Sequence, residues 1–258
     1  TGITSTIDMP QRFGDGAFTT LDLGSSFLRA EVGPLAVGVS NESRWWGPGR
    51  RNGILLTSHA PGFGHAFVGT ARPTDVRIGA LSAVWLWGRL RESDHFDADA
   101  SNDHRFFTGL VASLSPKAVP GLEVGGARTF VTAWRVDGPT IADALLVLIA
   151  LEKKRFATPA NPEGNDTRDQ LASVFFRWAF PASGLELYGE WGKGEHSWDL
   201  RDLFVEPEHA SAWLLGLQKA FGDRPDGLWR FAAELTMLGA ARTSQLRAPP
   251  SAFYVHHI

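Results

Sequence analysis

The sequence of 258 residues contains no cysteine and only two tyrosines and two methionines. Without cysteine there can be no disulfides, thiol nucleophiles or cysteine-ligated metal centres. Because the formal net charge is only −3, no polybasic surface indicates a nucleic-acid partner. The longest apolar run, 141–151, is interrupted by Asp143, and a membrane-spanning helix needs about 20 apolar residues. The sequence therefore predicts no spanning helix, whereas spanning strands of about 9–11 residues remain possible.

The sequence is instead rich in glycine (28) and tryptophan (10), and its apolar side chains recur at every second position. In 171–180, for example, Val174, Phe176 and Trp178 fall on one side of an extended chain. Such alternation between turn-forming segments predicts antiparallel strands. Strands are expected at 27–32, 35–40, 52–57, 65–72, 77–91, 104–115, 122–134, 171–180, 185–191, 210–221, 230–237 and 252–257. Helical segments are expected at 140–151, with Thr140 as its cap, and at 198–204.

The connections between these strands alternate between short and long, which in an up-and-down sheet places all long loops at one end. This asymmetry is typical of outer-membrane barrels. The predicted fold is all-β: an antiparallel up-and-down transmembrane β-barrel, expected to be incomplete in this sequence, with one or two short helices in its long loops. It forms one domain over 1–258, with an irregular region at 1–24. Seven tryptophans on or near strands could form interface girdles: Trp85, Trp87, Trp134, Trp178, Trp191, Trp213 and Trp229. The alternative fold is a soluble β-sandwich or propeller with its apolar face buried.

Two local predictions follow from the same register. Arg128 shares the apolar side of its strand with Leu122, Val124 and Phe130, so a bulge at Gly125-Gly126 is expected to turn it inward. Loop parity places the segment 44–50 at the short-turn end, where we expect it to form a rigid structural corner.

Several segments together resemble the Wzi family of outer-membrane capsule assembly proteins. They are 41–49, 54–58, 61–63 leading to 70–73, 185–192, 199–203 and 206–209. The most specific is the run Arg44, Trp45, Trp46, Gly47, Pro48 and Gly49. The resemblance implies a large closed outer-membrane barrel with plugging or flanking helices and a non-enzymatic, lectin-like role: attaching or assembling capsular or exopolysaccharide. The chain is short for that family, and we expect a fragment that lacks the family's end strands.

Two groups of residues are candidates for sugar contacts, because carboxylates and arginines bind sugar hydroxyls and tryptophan covers a sugar ring. The candidate polysaccharide-binding residues in or near the long loops are Asp94, His95, Trp191, His196, Trp198, Arg201, Asp202 and His209. The polar group expected to line the lumen is Arg177, Glu186, Tyr188, Glu190 and Glu234.

No catalytic residue, metal or cofactor is predicted. Glu186 and Glu190 would lie about 13 Å apart along one strand, beyond the roughly 5–9.5 Å of glycosidase carboxyl pairs. The acidic loop 97–103 is only a weak calcium candidate, because Asn102 stands where an EF-hand needs glycine. The expected partners are polysaccharide and outer-membrane lipid, with a monomer as the default state. Rival functions are a general porin, an enzyme acting on surface glycans and a soluble binding module.

Overall fold

A computed structural model describes residues 19, 21, 23–59, 61–92, 103–149, 158–159, 168–194, 211–222 and 227–238. The expected strand at 252–257 and the expected helix at 198–204 lie outside these residues. Within them the all-β prediction is confirmed, because eleven strands form a single antiparallel sheet. The described part of the expected irregular region 1–24, namely residues 19, 21, 23 and 24, contains no regular secondary structure.

The strands agree with the alternation to within two residues at most ends. Their bounds are β1 Phe27–Val32, β2 Leu35–Ser40, β3 His65–Thr70, β4 Thr74–Val76, β5 Gly79–Arg91, β6 His104–Pro116, β7 Leu122–Ala133, β8 Asp169–Phe180, β9 Leu185–Lys193, β10 Ser211–Phe221 and β11 Trp229–Leu238. The order is β1-β2-β3-β5-β6-β7-β8-β9-β10-β11, and β4 forms a short hairpin with β5. Each strand therefore pairs with its neighbour in sequence, and β1 and β11 are the outermost strands of the described sheet.

The two ends of the sheet differ as the loop lengths predicted. One end, the short-turn end, carries tight reversals in which Gly33, Gly121 and Gly184 adopt φ values of 59°, 77° and 64°, a region that favours glycine. At the other end, the long-loop end, the strands are joined by the long segments 41–64, 92–103, 134–168 and 194–210.

Three local predictions are wrong. Residues 52–57 do not form a strand; their apolar side chains are buried in a folded loop instead. The hairpin strand β4 has no apolar alternation and was not expected. The bulge at Gly125-Gly126 is absent, because β7 pairs in unbroken register with both neighbours, Gly126 standing opposite Ala112 and Val174.

One face of the sheet is covered by packed side chains, and the other leaves apolar side chains exposed. The inner face, on which Trp46 and Ile54 pack, carries the main core with Phe67, Leu86 and Leu214. The outer face leaves large apolar side chains exposed along most strands: Val37, Val39, Val124, Val174, Phe176, Leu187, Leu215, Phe231, Leu235 and Met237. No second sheet covers this face in the part of the chain that the structure describes.

One segment, 140–149, covers part of the outer face, and we call it the strap. It contains the short helix α1 (Ile141–Ala144) and a 3₁₀ turn (Leu145–Leu148), so the helix expected at 140–151 is confirmed over its first half. Leu146 and Val147 pack on the fully buried Phe130. No helix among the described residues has the length and apolar character needed to cross a bilayer.

The strap also explains how Arg128 stays on the outer face without a bulge. Its guanidinium donates to Gln170 Oε1 at 2.5 and 3.0 Å and to the Ile149 carbonyl at 2.6 Å. It also lies over the ring of Phe130, 4.8 Å from the centroid. Neighbouring polar groups and the strap backbone therefore replace the water that an inward position would have supplied.

Candidate functional site

The segment 41–64, which we call the inner loop, leaves β2 and enters β3 at the long-loop end and folds onto the inner face. Trp46 and Ile54 are 6% and 0% exposed and belong to the main core. The backbone N–H of Trp46 donates to the Leu56 carbonyl at 3.2 Å, so the loop is also folded on itself. Burying an aromatic or large aliphatic side chain contributes roughly 1.5–3 kcal/mol. The inner loop is thus packed as part of the core.

The glycines of the tryptophan-rich run allow this close packing. Gly47 has φ 87°, and a Cβ there would lie 2.2 Å from Glu190 Oε2. A Cβ on Gly49 would lie 1.9 Å from the Asn52 carbonyl oxygen and 2.8 Å from Leu214 Cδ1. Such distances leave no room for a side chain. The specific spacing of the run therefore fits a loop pressed against the sheet.

The position expected for this run is corrected by the structure. Because 52–57 is not a strand, the loop parity changes and 44–50 starts from the long-loop end. The loop extends far along the inner face, since Arg50 reaches Glu186 near the beginning of β9, at the opposite end of the sheet.

Glu186 is the centre of a polar cluster that joins the inner loop to three strands. Arg50 donates to its Oε1 at 2.8 Å, and Gln218 donates to the same oxygen at 3.1 Å. Arg177 donates to its Oε2 through two nitrogens, at 2.6 and 2.9 Å. Hydrogen bonds between an ionised donor and an ionised acceptor are the strong class of hydrogen bond.

Glu234 on β11 binds the backbone of the same loop. Its carboxylate accepts the N–H groups of Arg50, Arg51 and Asn52 at 2.8, 3.1 and 2.9 Å. The Tyr188 hydroxyl donates to its Oε2 at 2.8 Å. Successive N–H groups turned toward one anion form a backbone nest. We call Glu186 and Glu234 with these donors the carboxylate clamp.

Glu190 lies on the same face but is in a different situation. It is 4% exposed, and neither carboxylate oxygen has a hydrogen-bond partner among the described residues. The buried Ser173 hydroxyl is close enough to interact with this carboxylate but makes no hydrogen bond of normal geometry to it. Burying such groups unpaired costs free energy. Glu190 is therefore a buried carboxyl that lacks a well-formed hydrogen bond among the described residues.

The structure places the five residues expected in the lumen together on the inner face. In the strand register Arg177 lies opposite Tyr188, and Tyr188 lies opposite Gly216. Gly216 in turn lies opposite Glu234. Sequence reasoning missed the loop donors Arg50, Arg51 and Asn52. Arg50 directly follows the tryptophan-rich run, but only the folded loop brings it to these carboxylates.

Seven of the eight candidate polysaccharide-binding residues lie outside the described residues. They are Asp94, His95, His196, Trp198, Arg201, Asp202 and His209. Trp191 is described and lies on the outer face, its ring 5.7 Å from that of Trp213. It therefore points away from the inner loop. The loop 97–103 is described only at Asp103, and no cluster of three or more potential metal ligands occurs among the described residues.

The fold and the clamp together define a class of protein: an up-and-down antiparallel sheet of the β-barrel type whose inner face is covered by its own loop. No protein-family model and no curated protein matches the sequence. Among solved structures, the chain is similar to Wzi of Escherichia coli, described as an outer membrane protein involved in group 1 capsule assembly and as a carbohydrate-binding β-barrel.

That likeness has a TM-score of 0.59 at 15% sequence identity and covers 90% of this chain. It confirms the resemblance drawn from the sequence at the level of the fold. The chain corresponds to 45% of the length of the Wzi chain.

Proposed function

We propose that this chain is part of an outer-membrane β-barrel of the Wzi family, which attaches or helps assemble capsular or exopolysaccharide at the cell surface without turning it over. The observation that carries the proposal is the exposed apolar outer face, opposite an inner face that is covered by the inner loop and carries the carboxylate clamp. The likeness to a carbohydrate-binding β-barrel supports the same proposal.

The distribution of aromatic side chains supports a membrane position. On the outer face, Trp134, Trp191 and Trp213 lie at the long-loop end, and Trp178, Phe221 and Trp229 lie at the short-turn end. Trp213 and Phe221 are about 26 Å apart along β10 at roughly 3.3 Å per residue. At a strand tilt of about 40° this separation corresponds to roughly 20 Å along the membrane normal, which is most of the roughly 25 Å apolar band that aromatic girdles flank in outer-membrane barrels.

The inner loop favours an attachment role over a general porin. Trp46 and Ile54 are buried against the inner wall, and the carboxylate clamp ties the loop to strands on the far side of the sheet. A general porin needs a water-filled path through its barrel. A loop held in this way occupies that space.

Sugar contacts in this proposal come from polar groups at the long loops and on the inner face. Arg50 and Arg177 keep side chains 45% and 44% exposed beside Glu186, and paired guanidinium and carboxylate groups suit hydroxyl-rich ligands. Of the two candidate roles of Trp191, its outer position favours the membrane interface.

The test compares cell-bound and released polysaccharide in cells with and without the gene. We expect deletion to move most of the polysaccharide into the medium at unchanged total synthesis, with restoration by the wild-type gene. Unchanged cell-bound polysaccharide would contradict the attachment role.

Three further measurements separate the rivals. Open-channel conductance of the wild-type protein in planar bilayers would favour a porin. Turnover of a purified oligosaccharide, abolished by one carboxylate substitution, would favour an enzyme. Solubility without detergent would favour a soluble binding module.

A further inference from the structure

An apolar groove of about 590 Å³ lies on the outer face near the long-loop end. The ladder Leu28, Val39, Ala66 and Trp87 crosses four neighbouring strands at this level, and all four residues line the groove. Ala66 is the smallest of them, so it forms a depression between Val39 and the ring of Trp87. Phe106 and Trp134 complete the wall on the strap side.

A single cation stands at the end of this groove. Arg89 is the next outer-face residue after Trp87 toward the long-loop end, and it also lines the groove. Its guanidinium stacks over the Trp134 ring, 4.9 Å from the centroid. No acceptor for that guanidinium occurs among the described residues, and the side chain is exposed.

This combination fits an amphipathic anion. A stacked guanidinium keeps its N–H edge free for forked bonds to phosphate. The groove behind it offers almost only apolar surface, which suits an acyl chain and offers a sugar hydroxyl nothing to bind. A small free anion would leave that apolar surface unused.

We propose that the groove binds a phosphate-bearing lipid of the surrounding membrane, with one acyl chain along Val39, Ala66 and Trp87 and the phosphate at Arg89. The assignment rests on the membrane location proposed above. It adds a lipid site on the outer wall, separate from any sugar contacts of the inner face and loops.

The test uses the full 258-residue chain in detergent micelles and counts bound lipids by native mass spectrometry. The probes are long-chain phosphatidylglycerol, its dioctanoyl analogue, a galactosyl diacylglycerol with the same long chains, and inorganic phosphate. We expect one preferred site for long-chain phosphatidylglycerol, weaker binding of the dioctanoyl and galactosyl lipids, and no competition by millimolar inorganic phosphate.

The variants separate the two parts of the site. Arg89→Gln is expected to weaken phosphatidylglycerol binding about tenfold and to leave galactolipid binding unchanged. Ala66→Leu fills the depression and is expected to weaken both long-chain lipids. Arg72→Gln removes an arginine at the short-turn end and is the matched control, expected to bind like wild type.

Equal phosphatidylglycerol binding by Arg89→Gln and Arg72→Gln, in protein that enters micelles and keeps its β-sheet circular dichroism, would overturn the lipid site alone. So would competition by inorganic phosphate as strong as that by lipid. A chain that stays folded and soluble without detergent would refute the membrane location and the lipid site with it.

Discussion

Two segments leave the sheet at the long-loop end and pack on opposite faces of it. The inner loop 41–64 is held by buried aromatic and aliphatic side chains and by the carboxylate clamp. The strap 140–149 is held by Leu146 and Val147 on Phe130, by the Thr108 hydroxyl donating to the Ala144 carbonyl at 3.0 Å, and by Arg128. The inner loop is therefore anchored across the sheet, whereas the strap lies on three neighbouring strands.

The difference follows from what each face can solvate. Glu186 and Glu234 on the inner face can stay charged because backbone N–H groups, arginines and partial solvent exposure surround them. On the outer face, the strap covers the polar side chains Thr108, Arg128 and Gln170 and supplies carbonyl acceptors to Thr108 and Arg128. The inner loop is therefore expected to be the more stabilising segment, and the strap mainly to shield a polar part of an apolar surface.

The largest expected effect is removal of the inner loop's main anchor. Trp46→Ala deletes a 6% exposed indole that contacts the main core, and truncating a buried aromatic costs about 3–5 kcal/mol. We expect a clear fall in the thermal unfolding midpoint in detergent. Trp45→Ala, at the neighbouring half-buried position, is the control and should cost less. Equal losses would mean that Trp46 is not the anchor.

A smaller effect is expected from the clamp. Glu234→Gln keeps the side-chain shape but removes the charge that three backbone N–H groups and Tyr188 bind. Hydrogen bonds to charged groups contribute about 1.5–3 kcal/mol, so we expect a loss in that range and transient conductance in planar bilayers as the loop loosens.

Glu190→Gln is the matched control, because it makes the same substitution on the same face where no described partner is lost. Its stability should equal or exceed that of wild type, since a carboxyl that is buried without a partner is replaced by a neutral amide. Glu190→Gln as destabilising as Glu234→Gln would contradict the contrast between the two carboxyls.

The strands could be predicted from the sequence because one face of each is apolar, and this parity also placed Glu186, Tyr188 and Glu234 together. The inner loop could not be predicted in this way, because Ile54-Leu55-Leu56 has the apolar character of a buried strand. Periodicity alone does not distinguish a short buried strand from a buried loop segment. Arg128 illustrates the same limit. The alternation correctly places Arg128 on the apolar face of its strand. The strap that shields this side chain, however, lies in a different part of the chain. The bond from Arg50 to Glu234 joins residues 184 positions apart, and no local pattern encodes it.

The smallest expected effects concern the start of the strap. Thr140 and Asp143 form a capping box, in which the Thr140 N–H and hydroxyl donate to Asp143 Oδ2 at 2.8 and 2.6 Å. Thr140→Ala should cost about 1 kcal/mol of local stability. We expect faster amide hydrogen exchange in 141–149 and an almost unchanged global unfolding midpoint, with the half-buried Thr74→Ala in the β4–β5 hairpin as the control.

Protonation of Asp143 should loosen the same turn. Burial alone would raise the pKa of this carboxyl, but the Thr140 hydrogen bonds and the cations Arg135 and Arg168 outweigh it and hold the pKa below its usual value. A carboxyl whose folded pKa is depressed contributes stability that is present above its unfolded pKa and lost as pH falls through the folded pKa. Exchange in 141–149, corrected for its intrinsic pH dependence, should therefore accelerate in that acidic window. Asp143→Asn should show fast exchange already at neutral pH and no further acceleration on acidification; a variant that keeps the wild-type pH profile would show that Asp143 does not control the strap.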